Sequence, residues 1–242
     1  LTGFYSHHET LYNSIVQGVN DPKVTIDLYF HHCNPKIFKS ILLENLGSYS
    51  LYVVTAFADP LVKSVLSRVP PGKLLQIIRP PLFEDLSSIY QDFSSKLKDS
   101  LRKLKSCLNK YEKFILVFPT DKKHPAEIES TFLEFCSENK ISYQVENKVN
   151  PEDVKKGCAF WVIEDSDLLA LIKMSMEKGL KLGNDLGVLS YNETPMKEII
   201  RDGITVISID FVRMGNSIAD FIRNPRLTKA TFSPEVIMRQ SL

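Results

Sequence analysis

The chain has 242 residues, 43% of them apolar, enough for one large α/β domain or two smaller lobes with cores of their own. Its formal net charge of +1 gives the chain as a whole no electrostatic grip on nucleic acid. No apolar run approaches the ~20 residues of a membrane helix, and the opening LTGFYSHHET has no basic segment followed by an apolar one. Cys33, Cys107, Cys136 and Cys158 lie far apart in a chain too large to need covalent staples, which reads as four reduced thiols in a cytoplasmic protein.

The polar and aromatic stretch GFYSHHET runs into an amphipathic helix through Leu11, Ile15 and Val19. A doubly wound sheet starts with a strand, so the chain is expected to begin mid-domain, behind a first strand that it does not contain. A strand over 24–30, a helix over 35–45, a strand over 51–56, a helix over 60–68 and a strand over 73–78 follow. The short strand SIYQDF then delivers Gln91 and Asp92 to its carboxyl end, ahead of a helix striped by Leu97, Leu101, Leu104 and Leu108. The other face of that helix carries Lys96, Lys98, Arg102, Lys103, Lys105 and Lys110. A nucleic-acid patch is one reading of that face, and a solvated helix face is the commoner one.

Strands over 114–118, 141–145 and 159–163 alternate with helices over 126–138 and 167–178, the last ended by Gly179. Such alternation implies parallel pairing through right-handed crossovers. Two apolar runs rich in β-branched residues, 186–191 and 204–211, are each introduced by a glycine-bearing turn at Gly183 or Gly203 and read as buried strands. Between them Asn192, Glu193, Thr194 and Pro195 follow directly on a strand end, where an open α/β sheet meets its ligands. Thr194 precedes proline and is therefore held extended. Phe211, Met214, Ile218 and Phe221 then recur at helical spacing.

The stretch DLGVLSYNETPMKE followed by GITVISIDFVRMG resembles the closing segment of lactose/galactose-repressor-type effector domains. HHETLYNSI, DLYFHHCNPKIF, IYQDF and DSDLLALIK resemble, more narrowly, the sugar-sensing domains carried behind a GntR-type winged-helix head, of the fucose-operon-regulator kind. The resemblance implies an α/β fold of two Rossmann-like lobes with parallel sheets, similar to type I periplasmic binding proteins. Residues 1–91 with 207–242 are expected to form the amino-terminal lobe and 92–206 the carboxyl-terminal lobe. A winged-helix DNA-binding head is expected upstream, with a homodimer reading paired half-sites and a monosaccharide such as fucose or arabinose as effector.

A cleft between the lobes is the expected sugar site, lined by groups that both donate and accept and by aromatic faces. The loop of Phe4, Tyr5, Ser6, His7 and His8 is expected to line it from the near lobe, with its aromatics against a sugar ring. The resemblance carries a ligand role onto Asp92, whose other reading is a cap for a helix opening at Phe93 or Ser94. Ser166 and Asp167 resemble the family's Asn-Asp motif with serine in first place, and an N-cap explains Ser166 equally. Asn192 and Glu193 stand where the family carries a pair of acids. Ile128 falls near the family's cleft arginine, whose part Arg79 is expected to take.

His7–His8 and His31–His32–Cys33 match no zinc spacing, and Gly179, Gly183 and Gly187 precede a strand instead of following one, so neither a metal nor a phosphate-bound cofactor is expected. The readings weighed against a regulator's sensor are a periplasmic sugar carrier, opposed by the four thiols, and a sugar-acting α/β enzyme with Asp92 and Glu193 as its acid–base pair.

Overall fold

The computed structural model describes residues 1–3, 5–92, 96–120 and 124–242. The chain divides into a first unit, Leu1–Asp92 with Asp210–Phe232, and a second, Phe93–Ile209 with Ser233–Leu242. It passes from one unit to the other after Asp92, after Ile209 and after Phe232.

In the first unit, α1 (Ser6–Val19), α2 (Pro35–Glu44) and α3 (Pro60–Leu66) alternate with β1 (Tyr52–Val54), β2 (Leu74–Ile78) and β3 (Ser87–Gln91). The Asn-Pro and Asp-Pro dipeptides start α2 and α3. Asn34 Oδ1 accepts from the amides of Lys36 and Ile37, Asp59 Oδ1 from those of Leu61 and Val62, and each proline sits where a helix needs no N–H. The strands pair in parallel in the order β1-β2-β3-β9, where β9 is Lys229–Phe232. All five residues of β2 are buried, and its one polar side chain, Gln76, is paired at both ends of its amide with the backbone of Leu82 and Phe83. The helix before β9, α8 (Phe211–Arg223), lies against α1 at glycine contacts. A Cβ on Gly215 would stand 2.5 Å from Ser14 Cβ, and one on Gly18 would stand 2.7 Å from Ala219 Cβ.

The second unit holds β4 (Lys113–Val117), β5 (Tyr143–Glu146), β6 (Cys158–Val162), β7 (Leu186–Tyr191), β8 (Thr205–Ser208) and β10 (Glu235–Ile237), ordered β10-β8-β7-β6-β4-β5. All neighbours are parallel except β10, which runs antiparallel to β8. The uninterrupted apolar run CAFWV of β6 is buried at all five positions, as a strand covered on both faces requires. Helices α4 (Lys96–Leu108), α5 (Glu127–Asn139), α6 (Asp165–Glu177) and α7 (Pro195–Ile199) complete the unit. Leu97, Leu101, Leu104 and Leu108 of α4 join Phe132, Phe135 and Trp161 in one core cluster, each contributing roughly 1.5–3 kcal/mol of burial. The basic face of α4 is largely solvated, and Lys98 and Arg102 face Glu134 and Glu138 of α5.

Three expectations differ from the fold. Residues 24–30 form no strand: no backbone partner is found for the amides of Thr25–Leu28 among the described residues. The segment 207–242 does not belong wholly to the first unit. β8 is an inner strand of the second sheet, next to the edge strand β10, and the tail after Phe232 returns to it, where Ser241 accepts the Thr205 amide at 2.7 Å and donates to the Val188 carbonyl at 2.6 Å. β9, β10 and α7 went unseen because each is only three to five residues long.

His31 is 5% exposed and lies face to face with Phe57 and edge-on to Phe38. Burial, with the nearby amino terminus and Arg79, pushes its pKa down to about 3. The unfolded chain therefore binds a proton here that the folded chain refuses, and the stability present above about pH 6.5 is lost as pH falls from there toward 3. His31→Phe is expected to flatten the fall of the urea midpoint between pH 7.5 and 5, while wild type retains the slope; equal slopes would show that His31 is not the titrating group.

Candidate functional site

In an open parallel sheet the loops that leave the carboxyl ends of the strands carry the polar chemistry. In the second unit these ends belong to β4, β6, β7 and β8. The chain leaving β7 turns at Asn192, which is buried and holds φ 59°, a left-handed conformation that asparagine tolerates better than most side chains. Its amide donates to the Ile207 carbonyl at 2.9 Å. Thr194 is extended, at φ −143° and ψ 150°, and opens α7 after the proline bias.

Lys197 fixes this corner. Its side chain is 2% exposed, and Nζ donates to the carbonyls of Tyr191 at 2.9 Å and Asn192 at 2.8 Å while standing 2.8 Å from the Asp165 carboxylate at the start of α6. Burial lowers its pKa, and the Asp165 charge opposes that shift. One ammonium thus ties the end of β7 to the start of α6.

Beside it, His124 Nε2 lies 2.6 Å from Glu164 Oε1, and the imidazole stands edge-on to Phe118 and Tyr191. Burial raises the Tyr191 phenol above its ordinary range. Glu193 is anchored: Oε1 accepts from the Thr194 amide at 2.8 Å, Oε2 lies 2.6 Å from Arg239, and its own amide donates to Ser208 Oγ. Both carboxylate oxygens are engaged inside the protein, which suits a structural anchor better than a general acid or base.

In the first unit, Arg79 leaves β2 through a tight turn in which its amide donates to Ile77 and Ile78 takes φ 69°. A β-branched residue in that region is strained, and such strain gathers at functional corners. The Arg79 guanidinium donates to Cys33 Sγ at 3.7 Å. Asp92 follows β3, its amide donating to the Phe232 carbonyl. The Tyr5 carbonyl receives the amides of His8 and Glu9 at the start of α1, and the His7 ring lies against Tyr5 and Phe211.

The expected site residues therefore sort unevenly. Tyr5, Ser6, His7, Arg79 and Asp92 stand at strand ends or a helix start of the first unit, and Asn192 and Glu193 at a strand end of the second. His8 is turned inward, 4% exposed, with Nδ1 at 2.8 Å from the Gly3 carbonyl, and burial lowers its pKa. Phe4, and the helix start at Phe93 or Ser94 that Asp92 was weighed as capping, lie outside the described residues.

Ser166 and Asp167 do not open their helix: α6 starts at Asp165 with Glu164 at the N-cap, so Ser166 is exposed in the first turn and Asp167 is buried there, its carboxyl pushed up by burial. The residues between the end of β6 and the first turn of α6 are Ile163 and Glu164, with Asp165 opening the helix. Ile128 is fully buried in the core of the second unit, and His124, four residues earlier in the chain, pairs with Glu164.

His124 and Lys197 were missed for different reasons. His124 sits in a charged loop with no periodicity. Lys197 lies between Met196 and Glu198 in a helix whose apolar Met196 and Ile199 are exposed while the lysine is buried, the reverse of what residue type suggests. Among the described residues no group of three or more His, Cys, Asp or Glu gathers as a metal set would require.

A family model for the periplasmic binding protein-like domain matches residues 108–242, more than half of the chain. The chain belongs to that family. Among solved structures, a dimeric Lac repressor with a C-terminal deletion is similar at 14% identity and a TM-score of 0.77, over 97% of this chain and 94% of that one. A LacI-family regulator from Lactobacillus casei with bound glucose gives 13% identity and 0.75, over 98% and 95%, and one from Enterococcus faecalis V583 with bound ribose gives 15% and 0.74, over 98% and 94%. No curated protein sequence matches. The α/β fold with parallel sheets expected from the sequence is the observed one, and it is the fold of LacI-type effector domains.

Lys197→Met removes the ammonium and leaves two buried carbonyls without their donor. Urea unfolding is expected to show a loss of about 2–4 kcal/mol; a loss below about 0.5 kcal/mol would show that the corner holds without the lysine.

Proposed function

We propose that this chain is the ligand-sensing part of a bacterial transcription regulator, and that its effector is a sugar held by strand-end residues. The observation that carries this reading is that polar and aromatic side chains gather at the carboxyl ends of buried parallel strands, in the loops that follow them and at the start of α1. Arg79, Asp92, Tyr5 and His7 supply one set, and His124, Glu164 and Asn192 the other. Carboxylates, an amide and an imidazole are groups that accept from or donate to hydroxyls, and aromatic faces suit the apolar side of a pyranose. The glucose and ribose in two structural neighbours support a sugar as the ligand class.

A ligand that binds one conformation of the chain better than another shifts the populations of the two, and that shift is the signal. The resemblance to sensors carried behind GntR-type heads supports a winged-helix domain upstream, and the dimeric and operator-bound forms of the lactose repressor support a dimer that acts on DNA. The four free cysteines, none in a disulfide, support a reducing cytoplasm over the periplasm. No helix among the described residues is long and apolar enough to cross a membrane.

Screening monosaccharides by melting temperature tests the reading. The cognate sugar at a hundredfold excess over Kd is expected to raise Tm by about 5–10 °C. Asp92→Ala and Glu164→Ala are each expected to abolish that rise while leaving the unliganded Tm within ~2 °C. A large loss of unliganded stability in Asp92→Ala would make it a structural residue. Turnover of the sugar, lost in Asp92→Asn, would move the protein among the enzymes.

A further inference from the structure

His124 and Glu164 are joined through one atom apiece, and each keeps a second polar atom to spare. Nε2 of the imidazole lies 2.6 Å from Glu164 Oε1. For His124 Nδ1 and Glu164 Oε2 no hydrogen-bond partner is found among the described residues, although the two side chains are only 10% and 29% exposed. Polar atoms in so sheltered a place ordinarily have partners, so this pair is left incomplete by the protein itself.

Both side chains are held where they stand. The imidazole is edge-on to Phe118, just past the end of β4, and to Tyr191 at the end of β7. The Glu164 backbone is fixed as the N-cap of α6, its carbonyl accepting the amides of Asp167 and Leu168. Its carboxylate makes no capping bond to that helix, which leaves it to His124. The surrounding charges are largely matched: Lys197 faces Asp165, and Arg239 faces Glu193. Glu127 at the start of α5, within electrostatic reach of Tyr191, and Asp167, within reach of Glu164 and Lys148, are the further charges near the pair.

Hydrogen-bond polarity follows from this geometry. A carboxylate only accepts, so Nε2 carries the proton that joins the pair. In the neutral imidazole Nδ1 is then an acceptor, and so is Oε2. Two neighbouring acceptors suit a group that donates twice, and a vicinal pair of hydroxyls does so. A second proton on the ring turns Nδ1 into a donor, to which a hydroxyl responds by rotating and accepting. Fluorine in place of that hydroxyl only accepts, and so it suits the charged ring and not the neutral one.

We propose that His124 and Glu164 are the specificity-determining pair of the second unit's strand ends, and that they read a vicinal diol of the effector, one hydroxyl at Nδ1 and its neighbour at Oε2. A diol-reading pair rests on the sugar reading given above and adds which feature of the sugar is recognised.

Calorimetry on the 242-residue chain tests the pair, using the tightest binder among fucose, arabinose, glucose and ribose together with its monodeoxy and monodeoxyfluoro analogues. In wild type, removal of either of two adjacent hydroxyls is expected to weaken binding about tenfold. In His124→Phe one of those two losses is expected to shrink below about twofold, because that hydroxyl no longer has a partner to lose. The fluoro analogue at the same position is expected to bind wild type at least about threefold more weakly at pH 8.5 than at pH 5.5, more than the parent sugar does. The fluoro comparison uses the wild-type chain, so it decides the matter even if His124→Phe does not fold. Deoxy losses that are the same in His124→Phe as in wild type, or a fluoro analogue that follows the parent sugar at both pH values, overturn the diol-reading pair and leave the sugar reading standing. Failure of all four sugars to bind overturns both.

Discussion

One buried ammonium organises the corner on which the second unit's polar site depends. Lys197 donates to two carbonyls at the end of β7 and faces a carboxylate at the start of α6. Without such a donor the turn at Asn192 would leave buried carbonyls unpaired, each costing about 1–3 kcal/mol. A lysine here also holds Asn192 in its left-handed conformation, which presents the backbone and amide of that residue in one fixed direction. The same ammonium therefore serves as a splint for Asn192 and Asp165 together, and the neighbouring Glu193–Arg239 pair ties the corner to the returning tail.

The first unit is arranged differently. Its strand ends carry strain and stacking in place of a buried charge: Ile78 is forced into a positive φ to turn Arg79 outward, and His7 is held between Tyr5 and Phe211. Each half brings a rigid polar surface built on strands, and rigid elements position ligand groups more accurately than mobile loops.

Much of the fold was legible because buried parallel strands are long apolar runs with sharp borders. Leu186–Tyr191 was bounded correctly by Gly183 and Asn192, and the leucine stripe of α4 by its spacing. The site was less legible. Residue type points outward for Lys197 and inward for Met196, and burial reverses both. Ser166 and Asp167 were read as opening their helix because they resemble the family's Asn-Asp motif, whereas the helix begins earlier, at Asp165 with Glu164 at its N-cap. Residues 24–30 have the alternation of a strand and form none, because a strand needs a partner and pattern alone supplies none.

The proposed sensing role rests on a sugar engaging the strand-end residues. Amide NMR spectra of the labelled protein, recorded while the stabilising monosaccharide is added, test it most directly. The account predicts saturable shifts at Arg79 and Asp92 and at Glu164, Asp165 and Asn192, all following a single binding curve. Saturable shifts found only at residues away from these strand ends would contradict it.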